Sequence, residues 1–187
     1  AAGAIANGWA VLVPAYPLAP PARISEMTRA VAERITEAAR HVAGPVVITG
    51  HSAGGHLAAR MACEGVLPDD VARRVRHVMP ISALFDLRVF LGSRMNETLG
   101  LTCKEADAES PALLRPISGT RLTSWVGGAE RAEFLRQSAL LPNIWTGLGA
   151  ETEHVIEPDR HHFNVVEGLE DGAHPMTRRL LGLDHRP

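Results

Sequence analysis

Residues 46–62 read VVITGHSAGGHLAARMA: an apolar run leads into a knot of glycines around one serine and straight on into helix formers. Val46-Val47-Ile48 is β-branched and predicts a buried strand over 45–49. Leu57 to Ala62 is built of residues that favour a helix. Between them Gly50, Ser52 and Gly54 form the pattern Gly-x-Ser-x-Gly, which sets one serine on the bend from strand to helix. Such a bend is sharp, so side chains flanking Ser52 are expected to collide, and glycine is expected to be needed at both Gly50 and Gly54.

A neutral serine hydroxyl is a poor nucleophile. It needs an imidazole to take its proton and a carboxylate to fix the imidazole's tautomer and stabilise the imidazolium. Outward from the serine, the chain offers both groups at the ends of further strands. Upstream, WAVLVP predicts a buried strand over 9–14, and Ile24, Met27, Val31, Ile35, Ala38 and Val42 share one face of a helix over 24–42. Downstream, a helix of about three turns runs to Gly65 and a short one covers 68–74. A strand over 77–82 is weakened by Pro80. After an irregular excursion over 83–118 come a strand over 122–126, helices over 130–141 and 144–148, a strand over 153–156, and closing helices over 162–170 and 174–182.

This alternation predicts an α/β fold, a mostly parallel sheet with helices on both faces. Active groups on such sheets collect at the carboxyl ends of the strands. Ser52 follows strand 45–49, Glu130 follows strand 122–126, and His161 and His162 follow strand 153–156. Serine, acid and histidine in that chain order point to nucleophilic catalysis. Glu133 is the substitute acid and Asp159 a weaker one, while the choice between His161 and His162 stays open on position alone. The N–H of Ala53, the residue after the serine, can donate to an oxyanion. His51 and His56 read as packing or pocket-lining residues; His41, His77, His154, His174 and His185 are assigned no role.

The 187 residues suit one domain, 1–187, with 83–118 as a cap or lid in which Leu84, Phe85, Phe90 and Leu91 either line the site or pack. A net charge of −2 offers no footprint for nucleic acid. No apolar run is long enough to cross a bilayer and no signal segment opens the chain, so the expectation is a soluble, cytoplasmic protein with a small-molecule substrate. Self-association into a homo-oligomer stays open. Cys63 and Cys103 read as free thiols. No Cys or carboxylate–histidine spacing suggests a metal, and no cofactor is expected.

Several stretches together resemble a known family: GHSAGGHLAARM (50–61), YPLAPPARISEMTRAV (16–31), SALFDLRVF (82–90), MNETLGLTCKEADAESPALL (95–114), GGAERAEFLRQS (127–138) and HHFNVVEGL (161–169). Their order is similar to that of the kynurenine formamidase (arylformamidase) branch of the α/β-hydrolases, within the wider hormone-sensitive-lipase-like group. The likeness runs from about Gly8 to Leu169. It implies an α/β-hydrolase fold and a Ser52–Glu130–His162 triad, with Glu130 where the family usually has aspartate. The family's histidine directly precedes a phenylalanine, which selects His162; lipase-like relatives would select His161. The implied reaction is hydrolysis of an N-formyl arylamine such as N-formylkynurenine, a step of tryptophan catabolism, to formate and the free amine. A short-chain carboxylesterase and a non-catalytic relative that binds are the alternatives. The family's upstream His-Gly-Gly loop, which supplies part of the oxyanion hole, has no counterpart before Trp9. The expectation is therefore an N-terminally truncated fold with an exposed sheet edge at or near 9–14 and weak activity.

Overall fold

Four strands, β1 (Val46–His51), β2 (Val75–Ile81), β3 (Arg121–Gly127) and β4 (Glu151–Glu157), lie side by side in chain order, each neighbouring pair parallel. They belong to a computed structural model that describes residues 1–185, His185 by its backbone alone. Parallel neighbours need long crossovers, and helices supply them. In chain order the helices are α1 (Ala2–Ala6), α2 (Ile24–His41), α3 (Ala53–Met61), α4 (Asp69–Ala72), α5 (Asn96–Leu99), α6 (Cys103–Glu109), α7 (Ala132–Gly147) and α8 (Pro175–Leu180). Among the described residues no helix is long and apolar enough to cross a membrane.

Side chains alternate across the sheet, so one strand feeds two cores. Ile48, Val78 and Leu122 pack with Val31 of α2, Leu57 and Met61 of α3, and Leu141 and Trp145 of α7. Met79, Ile81 and Trp125 face the other way, onto Val165 and the α8 residues Met176 and Leu180. The sheet thus carries helices on both faces, as its pattern predicts.

Three stretches differ from their sequence pattern: 9–14, 130–148 and 162–170, the last winding only over Val165–Leu169 as a 3-10 helix and leaving His162 in the loop before it. Residues 9–14 are not a strand: among the described residues they pair with no neighbour, and Val11, Leu12 and Val13 are 40%, 47% and 80% exposed. A β-branched run becomes a strand only where a partner offers a ladder. The stretches 130–141 and 144–148 are not two helices but one, α7, with Pro142 inside it. Pro142 donates no N–H, yet its carbonyl is used, accepting the Thr146 hydroxyl at 2.8 Å, and the fully buried Leu141 and Trp145 hold the helix together across it. The strand expected over 77–82 does form, as β2, and Pro80 sits inside it although the strand is central. Ser82, of the same parity, donates its N–H to Trp125 O at 2.8 Å, so the donor that Pro80 lacks is missing on the β3 side. The β2–β3 register accordingly pairs 77 and 78 and resumes only at 81.

The excursion after β2 packs beside the sheet rather than wandering. Phe85 is fully buried, and Phe90 and Leu91 pack onto Ile24, Leu87, Leu101 and Ala106. Glu109 of α6 takes the Arg60 Nε–H at 2.9 Å and the Thr28 hydroxyl at 2.7 Å, tying α6 to α3 and α2.

The connection that presents Ser52 is short. A Cβ on Gly50 would overlap the Gly54 carbonyl, and one on Gly55 would lie 2.8 Å from both Gly50 O and Ala83 Cβ. Around Gly54 there is open space, so the second glycine that the turn needs is Gly55, buried against β2, and not Gly54. Ala in place of Gly50 is expected to cost about 3 kcal/mol or more, through backbone overlap that cannot relax cheaply. Gly54→Ala, in the first turn of α3, is expected to leave the melting temperature unchanged or slightly raised. Thermal denaturation of the two variants checks the pair.

Two buried histidines give the fold a pH dependence. His56 donates Nδ1–H to Leu84 O at 2.9 Å, leaving Nε2 without a hydrogen-bond partner. His77 donates Nδ1–H to Leu180 O at 3.0 Å and faces the Thr123 hydroxyl at 2.9 Å. Burial pushes both imidazoles down to about 4. The unfolded chain takes up these protons below about 6.5, the folded chain only near 4, so acid draws the equilibrium toward unfolding between those values. Their contribution is full above pH 6.5 and falls by about 1.4 kcal/mol per pH unit per histidine within the window. Urea unfolding between pH 7 and 4.5 measures it, and His77→Asn, which keeps a donor near Leu180 O, is expected to remove about half of these histidines' combined slope.

Candidate active site

Ser52 occupies the elbow between β1 and α3 at φ 55° and ψ −118°, a backbone conformation rarely taken by a residue with a side chain. Its N–H reaches across to Ile81 O at 2.9 Å, so the elbow is fastened to the carboxyl end of β2. Ala53 opens α3, where first-turn N–H groups have no intrahelical acceptor.

Glu130 lies in the turn after β3, before α7 begins, and His162 in the loop after β4. The two loops are stitched together. Gly128 N–H donates to Glu157 O at 2.8 Å and Ala129 N–H to Arg160 O at 2.9 Å. A Cβ on Gly127 would overlap the Arg160 carbonyl, so only glycine lets the loops approach this closely. Glu157 anchors the histidine loop from below, accepting Trp125 Nε1–H at 2.8 Å and Arg160 Nε–H at 3.2 Å.

The three groups meet in one hydrogen-bonded chain. His162 Nδ1 lies 2.7 Å from Glu130 Oε2, and His162 Nε2 lies 3.1 Å from Ser52 Oγ. An ionised carboxylate only accepts, so Nδ1 carries the proton, and in the neutral ring Nε2 is then free to accept from the serine hydroxyl. The Glu130 side chain is 0% exposed and that of His162 20%. The other glutamate oxygen, Oε1, accepts the Gly127 N–H at 2.9 Å and the Ser82 hydroxyl.

Rings close around His162. Phe134 stacks tilted at 4.4 Å between centroids, and Phe163 stands edge-on at 5.4 Å, itself 82% exposed. His51 lies on the ring at 4.6 Å and donates Nε2–H to the His162 carbonyl at 2.7 Å. Burial, and then the charge His162 would carry, push the His51 imidazole below its usual range, which suits a neutral donor.

The other candidates point elsewhere. His161 is exposed, and its Nδ1 accepts the Phe163 N–H at 3.2 Å. Glu133 is held by Arg136 at 2.7 Å and Gln137 at 2.9 Å, and Asp159 is exposed at a turn. Sequence reasoning missed Ser82, Gly127 and Phe134. Ser82 carried a readable signal, as the polar residue closing the HVMPIS strand at the sheet's carboxyl end; for Phe134 no signal existed. Among the described residues no group of three or more His, Cys, Asp or Glu could hold a metal ion. A cleft of about 740 Å³ lies away from the serine, between α2 and the turn after α3, lined by Thr28, Arg29, Glu33, Arg40, Arg60 and Val66.

No protein-family model matches the chain. It is 30% identical over 189 residues to the kynurenine formamidase of Salmo salar, an alignment covering 94% of this chain and 62% of that protein. With the Danio rerio kynurenine formamidase it shares 29% identity, covering 95% and 63%. The chain therefore spans about three fifths of the length of these relatives. A crystal structure from Silicibacter sp., described as that of a candidate thioesterase, superposes with a TM-score of 0.90 at 44% identity, covering 96% of this chain and 67% of that one. Thermogutta terrifontis esterase 2 shares the fold at a TM-score of 0.62 and 18% identity, covering 88% and 64%. With its parallel sheet, its serine elbow and these relatives, the chain belongs to the α/β-hydrolase superfamily, with kynurenine formamidases among its kin.

Proposed function

We propose that this chain carries the active site of a serine hydrolase for small acyl or formyl substrates, and that its substrate is an N-formyl arylamine such as N-formylkynurenine. The observation that carries the reading is the continuous chain from Ser52 Oγ through His162 to a buried Glu130. Kynurenine formamidases among the relatives support the choice of a formyl amide.

In this mechanism Ser52 Oγ attacks the formyl carbon as its proton passes to His162 Nε2. Glu130 stabilises the imidazolium through Nδ1–H and keeps the ring in the tautomer that can accept. Negative charge develops on the carbonyl oxygen, where the Ala53 N–H is one donor. Collapse breaks the C–N bond, and the leaving arylamine takes the proton from His162. A water then attacks the formyl-serine ester, giving its proton to His162; the Ser52 oxygen leaves with that proton and formate is released.

A serine-directed fluorophosphonate is expected to add once, on Ser52, and Ser52→Ala to abolish both adduct and turnover; intact-mass and peptide mass spectrometry read the result. An adduct elsewhere, or full activity in Ser52→Ala, would overturn the reading. Turnover of N-formylkynurenine against a short p-nitrophenyl ester separates formamidase from carboxylesterase, and adduct-free, inactive protein would favour a binding role.

The supporting groups are tested by rate. Glu130→Gln keeps shape but removes charge, and is expected to slow turnover by at least about a hundredfold. His162→Ala is expected to lose several orders of magnitude in single-turnover acylation, and His161→Ala to lose little. The reverse order would move the base to His161.

A further inference from the structure

We propose that Ser82 is a positioning residue for the acid: its hydroxyl fixes Glu130 Oε1 so that Oε2 faces His162. The inference rests on the triad reading above and concerns a residue outside it. Ser82 is the first residue after β2, fully buried, and sits at φ 50° although it is not glycine. Such a conformation persists only where the surroundings hold it. Here they do, because the Ser82 N–H is bound to Trp125 O at 2.8 Å, which pins the residue against β3. Its hydroxyl is then aimed at Glu130 Oε1, which also takes the Gly127 N–H at 2.9 Å.

Those two donors have a specific consequence for a glutamate. Its side chain has one torsion more than aspartate, so a carboxylate reaching His162 could otherwise rotate or retract. With Oε1 held from β2 and from the β3 turn, the remaining oxygen is directed along the 2.7 Å line to His162 Nδ1. The side chain is fully removed from water, so these neutral donors also replace the hydration that an ionised carboxylate loses. Both functions act through Glu130; Ser82 touches no reacting atom.

The test is a double-mutant cycle on the full chain, with turnover of N-formylkynurenine or the p-nitrophenyl ester as readout. Ser82→Ala is expected to lower kcat by about ten- to a hundredfold, as loss of a hydrogen bond to a charged group implies, and to change KM by less than about twofold. On a Glu130→Gln background the same change is expected to cost less than about threefold, because the charge it orients is gone. Ser82→Gly removes the hydroxyl while easing the backbone at φ 50°, so it gives the same result if the alanine variant folds poorly. An unchanged kcat, an equal loss on both backgrounds, or failure of both variants to fold would overturn the proposal, the last assigning the hydroxyl to stability. If Glu130→Gln alone costs nothing, the triad reading fails instead, and that result is independent of Ser82.

Discussion

There is no room for a single carbon atom on the Cα of Gly50. The Gly54 carbonyl occupies that space, and this contact lets β1 turn into α3 within two residues. The turn drives Ser52 to a positive φ, and its N–H bond to Ile81 O holds it there. Strain of this kind survives only when the surroundings over-determine it, and here a backbone contact on one side and a strand end on the other do so. Gly127 plays the equivalent part beyond the sheet's midline, where its bare Cα admits the Arg160 carbonyl. Two glycines, one per half, set where the serine, the acid and the imidazole can meet.

Much of this was legible in the residues. A β-branched run marked β1 and shorter apolar stretches marked the other three strands, and their ends marked Ser52, Glu130 and the paired histidines. Choosing His162 over His161 needed the family resemblance, because neighbours on a loop have no periodicity to distinguish them. The failures share a cause: each depended on what lay opposite in space. WAVLVP has strand composition but no ladder partner among the described residues, and α7 runs through Pro142 because its buried face outweighs one lost hydrogen bond. Gly54 and Gly55 look alike in sequence, yet only Gly55 faces β2. Ser82 became meaningful once the carboxylate beside it was known.

The chain buries two glutamates and uses them differently. Glu109 is answered by the Arg60 guanidinium, so charge meets charge and the pair serves as a joint between helices. Glu130 is answered by a backbone N–H, a hydroxyl and an imidazole. Neutral donors solvate its charge without cancelling it, so a net negative field remains at His162. A guanidinium in place of Ser82 would hold the carboxylate as firmly and remove that field.

Pro80 has a mechanical consequence. A parallel sheet resists shear through its rungs, and the seam between β2 and β3 lacks one where the proline stands. That seam divides the sheet into a half that presents Ser52 and a half that presents both Glu130 and His162. Sliding of one half past the other leaves the acid and the imidazole travelling as a unit and changes the gap between imidazole and hydroxyl. At the top of the seam Ser82 fastens the halves by its N–H and its hydroxyl, close to the only distance in the chain of three that shear can alter. Of the two contacts in the chain of three, the 3.1 Å approach of His162 Nε2 to Ser52 Oγ is thus the one that spans the seam, and the His51 bond to the His162 carbonyl spans it alongside.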